Sequence, residues 1–215
     1  MLNQQENIIT LAEQFVRQAL QSDYTGHDWW HIDRVRKLTL ELATLEQADP
    51  FVCELAALLH DIADEKLNES KQQGLDRVRD WLRIHVSSME ILEHVMLIVA
   101  TMSYNGGVNP RMETIEGKVV QDADRLDAMG AIGIARAFTY GGAKGRAMHD
   151  PQKVIASDVV DYRANDQTTL AHFYIKLLKL KDLMNTTYAK ELAEQRHIFM
   201  EQFLQQFYGE WEGKR

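Results

Sequence analysis

Cysteine, proline and basic charge are all scarce in this chain of 215 residues. The single cysteine, Cys53, excludes an intrachain disulfide, and its apolar setting PFVCELAALLH reads it as a small core residue in a reducing compartment. Proline occurs only at 50, 110 and 151, and glycine is missing from 27 to 73 and again from 146 to 208. Tracts of that length without either breaker favour helices. Lys and Arg number 24 against 32 Asp and Glu, a formal net charge of −8. No duplex nucleic acid is therefore expected as a partner, because duplex binding needs clustered cations to displace counterions. A small anion held by a few local cations stays open. No apolar stretch approaches the roughly 20 residues of a membrane span, so no membrane partner is expected either. The opening MLNQQENIIT lacks the basic-then-apolar pattern of a secretory signal, which leads to the expectation of a cytoplasmic protein. What the chain does have is 45% hydrophobic residues, enough for one sizeable core and too many for whole-chain disorder.

The apolar residues recur at helical spacing. Ile8, Leu11, Ala12, Phe15, Val16 and Ala19 mark one stripe; His31, Val35, Leu38 and Leu42 mark a second. Phe51, Val52, Leu55, Ala56, Leu59 and Ile62 mark a third, with Asp49 as N-cap and Pro50 at the first helical position. Further stripes run through 89–102, 117–129, 170–184 and 189–207, the last with Met200, Phe199, Phe203 and Phe207 read as core. Residues 103–113 and 140–151 read as irregular, and no alternating strand or internal repeat interrupts the pattern. The expectation is an all-α single domain, 1–215, with eight to ten helices. Its core part spans about 25–130, and C-terminal helices over 168–210 pack over it. Oligomeric state is not legible; a homodimer is compatible with the sequence.

The chemistry concentrates at histidine. Of eight, His27 and His60 each stand directly before an aspartate, in His27-Asp28 and His60-Asp61. The second pair ends the apolar run ELAALLHDIADEK, where a charge is costly unless paired or ligated. An imidazole beside a carboxylate is a mixed N/O donor set suited to a divalent metal. His31 shares a face with Val35 and Leu38 and could add a third donor. The acidic run QDADRLDAMG offers Asp122, Asp124 and Asp127, of which Asp124 falls among the apolar positions Val120, Ala123 and Leu126.

A lone histidine, then His-Asp about thirty residues on, then a distal aspartate resembles the HD-domain superfamily of metal-dependent phosphohydrolases. The blocks GHDWWHIDRV, AALLHDIADEK and QDADRLDAMGAIGIAR carry the likeness, and the tail TTLAHFYIKLLKLKDLMNT with AKELAEQRHIFMEQFLQQFYGEW is similar to one bacterial subgroup. The resemblance implies a helical bundle of the HD type with one divalent ion held by His31, His60, Asp61 and Asp124. Mn²⁺ or Mg²⁺ is the usual activator, and Fe, Ni or Co can occupy similar sites. It also implies a small phosphorylated substrate, a nucleotide, with nucleoside triphosphate pyrophosphohydrolase activity as the nearest analogue. A nucleotide monophosphatase or a cyclic phosphodiesterase of the same superfamily is the alternative.

A metal lowers the pKa of its water and neutralises phosphoryl charge. Asp64, three residues after Asp61, is the candidate to position or deprotonate that water, with Glu65 as the fallback. Arg34, one turn after His31, and Lys66, Lys176 and Arg196 are candidate phosphate contacts. His27 is a candidate substrate contact or a support for a ligand. His172 divides between core and pocket wall. Trp29 and Trp30 read as core, and Gly141, Gly142 and Gly145 as a plain connection rather than a phosphate cradle. Two other classes compete. HDWWH at 27–31 spells a peptidase-like HDxxH, but with Asp where zinc peptidases carry Glu, and it leaves His60, Asp61 and Asp124 unexplained. A catalytically silent helical module that binds a nucleotide or a protein is the non-enzyme reading.

Overall fold

The computed structural model describes residues 2–21, 28–64, 67–104, 111–153 and 168–214. Among these the fold is all-α, as the periodicity predicts. The helices are α1 (Leu2–Leu20), α2 (Trp29–Glu46), α3 (Pro50–Leu59), α4 (Lys71–His85), α5 (Met89–Thr101), α6 (Ile115–Asp127), α7 (Gly130–Ala143), α8 (Thr169–Ile175) and α9 (Thr187–Trp211). A 3₁₀ turn, His60–Ala63, continues α3, and a longer 3₁₀ segment, Leu177–Leu183, follows α8. None of the described helices is long and apolar enough to cross a membrane. The chain divides into two compact units, 1–123 and 124–215, and the division falls inside the unbroken helix α6.

In the first unit α3 is the central rod. It is apolar all round rather than along one stripe, which is the pattern of a helix enclosed on every side. Cys53 and every residue from Leu55 to Leu59 are fully buried, and α1, α2 and α5 pack around them. Each buried leucine there contributes roughly 1.5–3 kcal/mol relative to exposure. The helix starts as read: the Asp49 carboxylate accepts from Phe51 N at 2.9 Å and Val52 N at 3.2 Å, with Pro50 in the first turn. Burial, with Glu116 and Asp49 nearby, pushes the Cys53 thiol up to about 12, which fits an inert core residue.

Helix α6 is tied to this rod along its first half. Glu116 accepts from the Asp49 backbone N–H at 3.1 Å and faces His94 of α5 at 3.6 Å. One turn and more later, Gln121 donates to the Met102 carbonyl at 3.1 Å. Asp124 lies three residues beyond Gln121 on the same continuous helix, so its placement follows from these bonds.

The second unit packs α7, α8, the 3₁₀ segment and α9. Phe138, Phe173, Phe203 and Phe207 form its aromatic centre, with ring centroids 5.9–6.3 Å apart. Thr168 caps α8 by accepting from Ala171 N at 3.2 Å.

Four expectations need correction. The stripe 170–184 is not one helix: the backbone breaks at Lys176 (φ −130°, ψ −61°) and resumes as 3₁₀. The region 140–151 is helical through Ala143, because Gly141 answers a packing demand: a Cβ there would lie 2.2 Å from Thr169 Oγ1. Trp30 is exposed while Trp29 is buried under the Arg17 guanidinium, 3.7 Å from its ring. Phe199 is also exposed, on the outer side of α9.

Candidate metal centre

Three elements of local sequence bring the donors together. Asp28 is the N-cap of α2, its carboxylate accepting from His31 N at 3.0 Å, so His31 enters in the helix's first turn and buries completely. The α3 rod delivers His60 at its C-cap, and the tightening to 3₁₀ carries Asp61 next. Helix α6 supplies the distal carboxylates.

His60 Nδ1 lies 2.7 Å from the Ala57 carbonyl, and because a carbonyl only accepts, Nδ1 donates. In the neutral ring Nε2 then presents its lone pair, the form in which imidazole binds metal, with a backbone carbonyl orienting the ring. That nitrogen is 3.3 Å from Asp61 Oδ1, and His31 Nε2 is 3.5 Å from Asp61 Oδ2. The two imidazoles meet edge to face at 5.3 Å. Acceptors that face one another at these distances call for a proton or a cation between them. One ligand atom from each of His31, His60 and Asp124 lies within 4.8 Å of the other two.

Donors about 2.1 Å from an ion stand about 3.0 Å apart at right angles and about 4.2 Å apart across it. The separations here lie close to that range. Two imidazoles with carboxylates make the mixed N/O set that Mn²⁺, Fe²⁺, Co²⁺, Ni²⁺ or Mg²⁺ accepts, so the residues present fit a divalent ion. The neighbouring acids are otherwise engaged or enclosed. Asp127 pairs with Arg136 at 2.8 Å, and Asp122 is fully buried within the first unit. The HDxxH reading fails on geometry. Asp28 is extended (φ −80°, ψ 174°) and spends its carboxylate on the cap, so the residue standing where a zinc peptidase has its helical Glu precedes α2 instead of lying on it.

Asp64 ends the 3₁₀ turn, half-buried, with extended backbone (φ −67°, ψ 137°). Its N–H donates to the Asp61 carbonyl at 3.0 Å. Asn68, which the sequence reading passed over, donates from its side-chain amide to the Ile62 and Asp64 carbonyls, both at 2.8 Å. The signal available in sequence was only an asparagine in the turn LNES, a residue type that bonds nearby backbone. Arg34 sits on α2, partly exposed. Lys176 is the C-cap of α8, and Arg196 donates to the Leu126 carbonyl at the end of α6 while its stem packs over Gly130. Burial, with Lys176 and Arg146 nearby, pushes His172 down to about 3, so it is neutral in the folded protein. His27, Glu65 and Lys66 lie outside the described residues.

The HD-domain family model matches residues 29–129, the stretch that holds all four candidate ligands. YpgQ of Bacillus subtilis (strain 168) is 42% identical over 207 residues, covering 95% of this chain and 92% of that protein. Among solved structures, an HD-superfamily hydrolase from Bacillus thuringiensis is 50% identical, covers 97% of this chain and 98% of its own, and superposes with a TM-score of 0.77. The crystal structure of Bacillus subtilis YpgQ in complex with ADP is 40% identical, covers 96% of both chains, and has a TM-score of 0.78. With the donor set in place and relatives this similar over nearly the whole length, the chain belongs to the HD-domain superfamily of hydrolases.

Proposed function

We propose that this protein is a metal-dependent nucleoside triphosphate pyrophosphohydrolase, with His31, His60, Asp61 and Asp124 holding the ion. The observation that carries the reading is the convergence of His31, His60 and Asp124 within 4.8 Å, with Asp61 facing both imidazoles. The complex of the relative YpgQ with ADP supports a nucleotide as the substrate class. Mn²⁺ or Mg²⁺ is the proposed ion. When bound, it supplies Lewis acidity toward a phosphoryl oxygen and an acidified water.

The chain's own residues do the rest. The Ala57 carbonyl orients the His60 imidazole, and the Asp28 cap holds the His31 backbone in the first turn of α2. The Asp64 carboxylate accepts a proton from the attacking water, whose oxygen bonds to the α-phosphorus as the bond to pyrophosphate breaks. Glu65 is the fallback base, and Arg34, Lys66, Lys176, Arg196 and His27 are the proposed contacts to the nucleotide. The products are a nucleoside monophosphate and pyrophosphate.

The test is a panel of ribo- and deoxyribonucleotides with Mn²⁺ or Mg²⁺, products resolved by anion-exchange chromatography. Pyrophosphate with a monophosphate, abolished by a chelator, is expected. Inorganic phosphate alone would move the assignment to a phosphatase, and no chelator-sensitive product would leave the silent-module reading standing.

A further inference from the structure

We infer that Asn68 is a positioning residue for Asp64, the proposed proton acceptor; the inference rests on the functional reading above. An asparagine amide has two donor hydrogens. Here both go to carbonyls two residues apart on the same strand of chain, Ile62 and Asp64, each at 2.8 Å. These carbonyls bracket the point where the 3₁₀ turn ends and Asp64 swings to extended backbone. The Asp64 N–H is held by the Asp61 carbonyl at 3.0 Å, and the Asp64 carbonyl also accepts from Leu67 N at 3.0 Å. Both peptide planes flanking the Asp64 α-carbon are therefore bonded. Its Cα–Cβ direction is set relative to Asp61.

The amide is itself held from behind. Gly74 of α4 lies so close that a Cβ there would stand 2.7 Å from Asn68 Nδ2 and 2.7 Å from Ala63 Cα. Helix α4 thus presses directly on the turn and on the side chain that ties it. The second bond, to the carbonyl of Asp64 itself, is the one that bears on where the carboxylate points.

The experiment is a double-mutant cycle on the full chain: wild type, Asn68→Ala, Asp64→Asn and the double variant. Pyrophosphate release is measured at saturating Mn²⁺, with KM, Mn²⁺ affinity by calorimetry and melting temperature followed in parallel. Asn68→Ala is expected to lower kcat about 10- to 100-fold, since displacing a reacting group by an ångström can cost that much. Mn²⁺ affinity should stay within about threefold, and Asn68→Ala should add nothing once Asp64 is already asparagine. If Asn68→Ala does not fold, Asn68→Ser, which keeps one donor, replaces it in the cycle. Losses that multiply, an unchanged kcat, or Mn²⁺ affinity falling in step with kcat would each overturn the inference while an active wild type upholds the functional reading. A wild type that hydrolyses no nucleotide overturns both.

Discussion

Asp61→Asn separates a metal ligand from a structural ion pair by the sign of its effect. The carboxylate stands 3.3 Å from His60 Nε2 and 3.5 Å from His31 Nε2, buried with them. Were it there to pair with imidazolium, removing its charge would strand a buried cation at a cost of about 3–5 kcal/mol. For a chain of this size that lowers the melting temperature by roughly 6–20 °C. As a ligand beside neutral imidazoles, the outcome reverses. The asparagine amide keeps the shape and can donate to the His60 Nε2 lone pair that the Nδ1–Ala57 bond leaves facing it. That adds about 0.5–1.5 kcal/mol, so the metal-free variant should melt about 1–6 °C above metal-free wild type. Metal then distinguishes them again. At an ion concentration a hundred times Kd, wild type gains about 2.7 kcal/mol, or roughly 5–11 °C. A variant that binds a hundredfold more weakly gains only about 0.4 kcal/mol at the same concentration. Calorimetric melting with chelator and then with Mn²⁺ reads both quantities. A metal-free variant that melts 10 °C or more below wild type, or one that keeps the full Mn²⁺ increment, would refute the reasoning.

Three further outcomes follow from the scaffold. Asp49→Ala removes one carboxylate oxygen that accepts two backbone N–H groups at the start of the central helix, and should lower stability by about 1–2 kcal/mol in urea titration; no change would mean the cap is redundant. Gly141→Ala sets a methyl 2.2 Å from Thr169 Oγ1 and should cost about 1–3 kcal/mol, whereas a neutral result would show that α8 yields there. His172 is neutral in the folded chain down to about pH 3, while the unfolded chain binds the proton near its ordinary 6.5. The unfolded state thus holds more protons between those values, so stability rises with pH across that window and falls on acidification. Wild type should lose about 1–2 kcal/mol more than His172→Gln between pH 7 and pH 5; equal losses would contradict the assignment.

Much of the fold was legible because apolar spacing reports burial directly. The helices α1, α2, α3, α5, α6 and α9 all lie under stripes read from the sequence, and the Asp49 cap sits where the residue types predict. Two helices escaped. In α4, Gly74 looks like a breaker but marks the close approach to Ala63, and α7 is glycine-rich for a related reason at Gly141. The break at Lys176 has no proline or glycine to announce it, so only tertiary packing reveals it. The candidate centre was legible in its donor types, and the likeness of its blocks to a family selected Asp124. Spacing alone leaves Asp122, Asp124 and Asp127 open, because neighbours at 100° steps cover a wide arc of one helix. What separates them is three-dimensional: enclosure of Asp122, the Arg136 partner of Asp127, and the nearness of Asp124 to both imidazoles. Asn68 could not be read at all, since its bonds to Ile62 and Asp64 depend on how the turn is folded.

The enclosure of Cys53 deep in α3, with its thiol held protonated, has a consequence for how this protein meets its surroundings. A folded molecule offers no thiolate to peroxide, to electrophiles or to soft metals such as copper, so those agents find no handle on the donor set from this side. The sulfur becomes reachable only when the central rod comes apart. The rate at which a maleimide attaches to Cys53 is therefore a clock for that opening, built into the chain at its only cysteine.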